Sequence, residues 1–163
     1  MDAYFIVGPE GSGTNMLEEA FVSAGCYRDS KHASGTDPDF SEDKSPMVFR
    51  RSLPHAGKWP DLMRYAALML RAGFRVQPII IFRDWNATVQ SVLRRDPERR
   101  ASIVEWNMRK AIQEIGILID PIYITYEAFC LEPGFRKWLF VKRLGLSEPQ
   151  IEIKYANPKY YEG

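Results

Sequence analysis

The stretch Ala3-Tyr-Phe-Ile-Val-Gly-Pro-Glu-Gly-Ser-Gly-Thr-Asn15 sets the fold. Five residues of apolar, β-forming character stop at Gly8, as expected of a central strand buried on both faces of a parallel sheet. Glycines at 8, 11 and 13 then make a tight turn, and Met16, Leu17, Ala20, Phe21 and Ala24 recur at helical spacing until Gly25. A strand, a glycine turn and a helix in this order aim successive backbone N–H groups and the positive helix terminus at one point, which suits an anion, above all a nucleotide phosphate. Ser12, Thr14 and Asn15 add side-chain donors. The turn also serves, more simply, as a tight strand-to-helix connection.

Outward from this unit the pattern repeats. Met47 to Arg50 reads as a short strand running into Arg51-Ser-Leu-Pro-His55, and residues 59–72 read as an amphipathic helix. Val76 to Phe82 is the most strand-like run. Helices are expected over 84–95, 98–117 and 135–144, and a strand over 122–126. The stretch 28–46 is crowded with Ser, Asp, Lys, Gly and Pro and reads as a solvated, mobile loop. The tail from Ser147 carries no clear element. Strands alternating with helices predict one three-layer α/β/α domain, residues 1–163, around a central, mostly parallel sheet.

Composition narrows the function. A formal charge of +1 over 163 residues argues against a general nucleic-acid coat. No apolar run reaches membrane-spanning length and no leader pattern opens the chain, so a cytoplasmic protein that binds no membrane is expected. Cys26 and Cys130 have no metal-ligand spacing and read as reduced thiols, and no metal site is expected. The glycine turn departs from both common nucleotide patterns. Gly8 and Gly13 keep the spacing of Gly-x4-Gly-Lys-Ser/Thr, but Thr14 stands where the lysine belongs. The order Gly-x-x-Gly-x-Gly is not that of a dinucleotide fold.

A second group sits at Phe82-Arg83-Asp84-Trp85. Arg83 is at the carboxyl end of a strand, where open α/β sheets bind ligands, and Ser91 follows about two helical turns later. A guanidinium and a hydroxyl placed so suit a phosphate, although an arginine at a strand end is also a common surface ion-pair residue. Trp85 is a further candidate to line the cleft. Arg94, Arg95, Arg99 and Arg100 cluster around Asp96-Pro97 and read as a solvated helix junction.

Together these residues resemble the sulfotransferases that use 3′-phosphoadenosine-5′-phosphosulfate (PAPS). The loop Gly11-Ser-Gly-Thr-Asn15 looks like that family's 5′-phosphosulfate loop, Arg83 with Ser91 looks like its 3′-phosphate pair, and Tyr126-Glu127-Ala-Phe129 looks like the segment beside its adenine. The similarity spans residues 3 to about 146 and implies a P-loop nucleotide-hydrolase-like fold. It also implies PAPS as sulfuryl donor with 3′,5′-adenosine diphosphate as product, and a small-molecule or glycan hydroxyl as acceptor. By this resemblance Gly11, Ser12, Gly13, Thr14, Asn15, Arg83, Ser91 and Tyr126 bind the nucleotide. Two departures touch the chemistry. Gly11 stands where the family usually has Lys or Arg, and Ser52, in Arg50-Arg-Ser-Leu-Pro-His55, stands at the catalytic His position. His55 then becomes the expected base, and Arg51 or Lys58 the expected cation; His32 is a weaker alternative. Lys154 and Lys159 are the tail's candidates for the family's last phosphate-binding segment. A nucleotide-binding protein without turnover and a small-metabolite kinase stay open as other readings, as does homo-oligomer formation.

Overall fold

The computed structural model describes residues 1–30, 37–38, 40, 44–55 and 57–161. Its centre is an all-parallel sheet of five strands in the order β2-β3-β1-β4-β5. The strands are β1 (Asp2–Pro9), β2 (Tyr27–Arg28), β3 (Met47–Leu53), β4 (Arg75–Phe82) and β5 (Ile122–Thr125). Strand β1 pairs with β3 on one side and β4 on the other, and Ala3 to Pro9 are buried throughout. That is why this stretch is continuously apolar rather than alternating.

Helices cover both faces: α1 (Thr14–Ser23), α2 (Leu62–Arg71), α3 (Trp85–Arg95), α4 (Ala101–Ile115), α5 (Tyr126–Leu131) and α6 (Pro133–Lys137). The two-residue period of the strands sorts the core. Tyr4, Ile6, Ile79, Ile81 and Ile124 pack with Leu17 and Phe21 of α1, Phe129 of α5, and Phe140. Ala3, Phe5, Val7, Phe49 and Ile80 pack with Tyr65 and Met69 of α2 and with Ala111 and Ile115 of α4. Among the described residues no helix is long and apolar enough to cross a membrane, and no cluster of three or more His, Cys, Asp or Glu side chains could hold a metal.

Several boundaries differ from expectation. Asp61 caps α2 by accepting from the Arg64 N–H, so that helix begins at Leu62 rather than Trp59. Asp84 caps α3 in the same way through the Ala87 N–H. Tyr126 opens a helix instead of ending a strand, because Thr125 caps it through the Ala128 N–H. The helix expected over 135–144 is α6 followed by a π-helical segment, Trp138–Arg143. The stretch 28–46 is not uniformly solvated. Arg28 pairs with β3, Asp29 is fully buried, and Phe40 packs on Phe49 and Phe74. The tail, for which the sequence shows no element, packs Ile151, Ile153 and Tyr155 on the α1 face.

Burial also fixes protonation. The Cys26 thiol is pushed up from 9.0 to about 12 and the Tyr4 phenol from 10.0 to about 12, in both cases chiefly by desolvation. In the unfolded chain both ionise near their ordinary values, so above pH 9 the unfolded state loses protons that the folded state keeps. Stability to urea is therefore expected to fall between pH 9 and 12, and Cys26→Ala should remove part of that slope. An unchanged urea midpoint across this range would contradict the assignment.

Candidate functional site

The strand order places the site. From β1 the chain moves outward to β2 and returns through β3, whereas β4 and β5 lie on the other side of β1. The connections leaving the carboxyl ends of β1 and β4 thus diverge and open a crevice between them, as in other open α/β sheets. The glycine turn follows β1 and Arg83 follows β4, so both groups singled out in the sequence stand at this crevice. A cavity of about 530 Å3 occupies it, lined among others by Gly11, Gly13, Thr14, Asn15, Arg50, Ser52, His55, Arg83, Ser91 and Tyr126. Its size suits a nucleotide-sized ligand.

Gly11 and Gly13 have φ of 88° and 101°, in the region that favours glycine. Neighbours press on them as well. A Cβ at Gly13 would stand 2.7 Å from the Tyr126 ring, and one at Gly11 would stand 2.9 Å from the Thr88 carbonyl. Gly13 is the cap of α1 and has no side chain to bond the first helical N–H groups, leaving that terminus to an external acceptor. Thr14 and Asn15 line the cavity beside it. Ser12 is placed differently: its Oγ is buried, has no hydrogen-bond partner among the described residues, and sits 2.5 Å from where a Cβ at Gly8 would be. It lies beneath the turn, outside the cavity lining.

Arg83 is held on several sides. Its Nε donates to Asn157 Oδ1 at 2.6 Å and its Nη1 to the Gly11 carbonyl at 3.2 Å. The guanidinium carbon lies 4.2 Å from the centre of the Tyr126 ring and 4.8 Å from that of Tyr160. Nη2 is buried and has no hydrogen-bond partner among the described residues. Ser91 lines the same wall. Tyr126, whose phenol is raised to about 12 mainly by burial, fills the space between Gly13 and Arg83.

On β3 the structure separates the two arginines. Arg51, expected as the catalytic cation, is not at the cavity. Its side chain is fully buried, bonds Asp29 Oδ2 at 3.1 Å and lies 5.0 Å from the centre of the Tyr65 ring under α2. Successive strand residues face opposite ways, so Arg50 points to the α1 side, lines the cavity and has its Nε bonded to Glu18 Oε2 at 3.1 Å. That alternation separates them only because the strand continues through Leu53. Lys58 meets His55 through a backbone bridge and does not line the cavity.

His55 does reach the cavity and is 3 % exposed. Its Nδ1 accepts from the Ser52 N–H at 3.2 Å, with Ser52 Oγ 3.3 Å away. This hydrogen bond assigns the proton of the neutral ring to Nε2. In that tautomer Nε2 donates, and protonating Nδ1 would break the bond to the Ser52 backbone. The arrangement therefore commits Nδ1 to the Ser52 backbone.

Other residues were unforeseen. Glu10 lines the cavity next to the turn, and Arg99 bonds it at 2.6 Å with Arg95 3.7 Å away. The arginine cluster at the α3–α4 junction thus offsets a carboxylate that would repel an anion. Trp85 packs with the α3–α4 cluster and carries Arg109 on its ring, away from the cavity. Lys154 pairs with Glu152 at the surface, and Lys159 contributes its carbonyl to Arg94. His32 lies outside the described residues.

No protein-family model matches this sequence, and no curated protein matches it. Among solved structures, the chain resembles mouse sulfotransferase SULT7A1 complexed with PAP, with a TM-score of 0.53 and 13 % identity. The match covers 99 % of this chain and 62 % of the mouse protein, so the chain spans about three-fifths of that structure's length. The fold is sulfotransferase-like.

The contacts at Gly13 make a direct test of the turn. Gly13→Ala combines a positive φ with a Cβ pressed on Tyr126 and is expected to cost about 2 kcal/mol of stability. Urea unfolding measures this. A neutral result would show that the turn and Tyr126 can move apart freely.

Proposed function

We propose that this chain binds a 3′-phosphorylated adenine nucleotide of the PAPS type at the β1/β4 crevice and acts as a sulfotransferase. The observation that carries the reading is that the Arg83 guanidinium, held by Asn157 and Tyr126, lines the same cavity that receives the open terminus of α1. Two separate anion-binding groups on one cavity suit a ligand with two phosphate-like groups. The N–H groups at the start of α1, with Thr14 and Asn15, hold the 5′ group, and Arg83 with Ser91 holds the 3′ phosphate. When bound, such a donor supplies an activated sulfuryl group and leaves as 3′,5′-adenosine diphosphate. Arg50, oriented by Glu18, is the cation that offsets negative charge at the 5′ end, replacing Arg51 in that role. His55, through the Ser52 N–H on its Nδ1, holds the Ser52 segment at the cavity. The acceptor is a small molecule or glycan that bears a hydroxyl. The likeness to a PAP-bound sulfotransferase supports the donor class.

A second reading is nucleotide binding without turnover. It is favoured by the Ser52 N–H on His55 Nδ1, which removes the nearest base from service.

Calorimetric titration is expected to show tighter binding of 3′,5′-adenosine diphosphate than of ADP, with Arg83→Ala removing at least tenfold of the affinity, in line with loss of a charged hydrogen bond. Preference for ATP with magnesium would overturn the proposal. Transfer of label from [35S]-PAPS to an acceptor panel then separates the readings. An enzyme should lose most of its rate in Arg50→Ala, whereas binding without transfer supports the second reading.

A further inference from the structure

We infer that the tail residue Asn157 is a positioning residue for the anion site: it sets the Arg83 guanidinium in the orientation in which it lines the cavity. This rests on the nucleotide reading above and adds a part of the chain that the reading does not use. Asn157 is 1 % exposed although it lies in a segment with little regular structure. Both ends of its amide are committed. Oδ1 accepts from Arg83 Nε at 2.6 Å, and Nδ2 donates to Glu127 Oε1 at 2.7 Å. The same carboxylate oxygen accepts from the Asp84 N–H at 3.0 Å, so Asn157 is anchored to the residue that follows Arg83. Tyr161 bonds the Asp84 carboxylate from the tail side.

The plane of the guanidinium is fixed as well as its edge. Tyr126 and Tyr160 stack on it, and Arg94 lies over the Tyr160 ring, 4.9 Å from centroid to guanidinium carbon. The segment reaches this position because its backbone is pinned to Tyr126. The Tyr126 hydroxyl donates to the Lys154 carbonyl at 3.1 Å and accepts from the Ala156 N–H at 3.0 Å. An arginine held in this way has already lost its rotamer freedom, so an anion that binds it orders little more. A serine or an alkyl group at 157 would leave Nε unpaired, and the guanidinium would turn to satisfy it.

The experiment compares 3′,5′-adenosine diphosphate with 5′-AMP, which lacks the 3′ phosphate, by calorimetry on the full chain. Asn157→Ala is expected to weaken the diphosphate about tenfold while AMP affinity stays within about twofold. In an Arg83→Ala background the same substitution should change neither affinity. Tyr160→Leu, at a less buried position, should give a smaller loss with the same selectivity, and guards against misfolding of the first variant. Equal losses for both nucleotides, or an undiminished effect of Asn157→Ala without Arg83, would overturn the inference and leave the nucleotide reading intact. If the wild-type chain does not distinguish the two nucleotides, both fall together.

Discussion

Strand β1 carries hydrogen-bonded partners on both edges and a core on both faces, and the crevice exists because of that double burial. A strand so placed cannot shift by one residue without exchanging the two side-chain sets, Tyr4 and Ile6 against Phe5 and Val7. Its register with β3 sets Gly8 beside Ser52 and Pro9 beside Leu53. Its register with β4 sets Val7 beside Ile80, two residues before Phe82 and three before Arg83. The glycine turn, the Arg50–His55 segment and Arg83 are thus brought together by pairing geometry, which their own contacts, Arg83 Nη1 to the Gly11 carbonyl and the Glu10 N–H to the Leu53 carbonyl, then reinforce.

Around that frame the chain keeps an unusual amount of charge inside. Arg51 with Asp29 and Arg50 with Glu18 are each a cation brought out of water with its counter-charge, and Arg99 with Glu10 is a half-buried pair. Such pairs contribute little net stability, because desolvation of both partners offsets their attraction. Removing one partner is costly. The pairs do different jobs by position: Arg51–Asp29 ties the β2 edge to the face under α2, whereas Glu18 and the α3–α4 arginines adjust the potential at the cavity rim.

The sheet, its parallel sense and the crevice were legible because they rest on periodicity and on glycine chemistry, both written locally. The placing of Gly11, Gly13, Arg83 and Ser91 on one cavity followed from the strand ends. Arg50 and Arg51 show the limit. Local sequence treats them alike, and only the pleat, which needs the strand to continue through Leu53, sends one to the cavity and the other to Asp29. His55 was legible as a site residue but not in its tautomer, since that depends on a backbone N–H three residues earlier. Asn157 was beyond reach. Its partners are 74 and 30 positions away, and nothing in a Pro- and Lys-containing tail marks it.

The amide of Asn157 faces a guanidinium with its oxygen and a carboxylate with its nitrogen, and this narrows what evolution can place there. Aspartate would keep the acceptor toward Arg83 but set a second carboxylate against Glu127. Serine falls short of both partners, histidine offers rings where flat amide edges fit, and glutamine adds a methylene in a space with no exposure to spare. The arginine site is thus bound to one residue type at 157, within a segment whose other fixed points, Ile151, Ile153, Tyr155 and Tyr160, ask only for an apolar or aromatic surface.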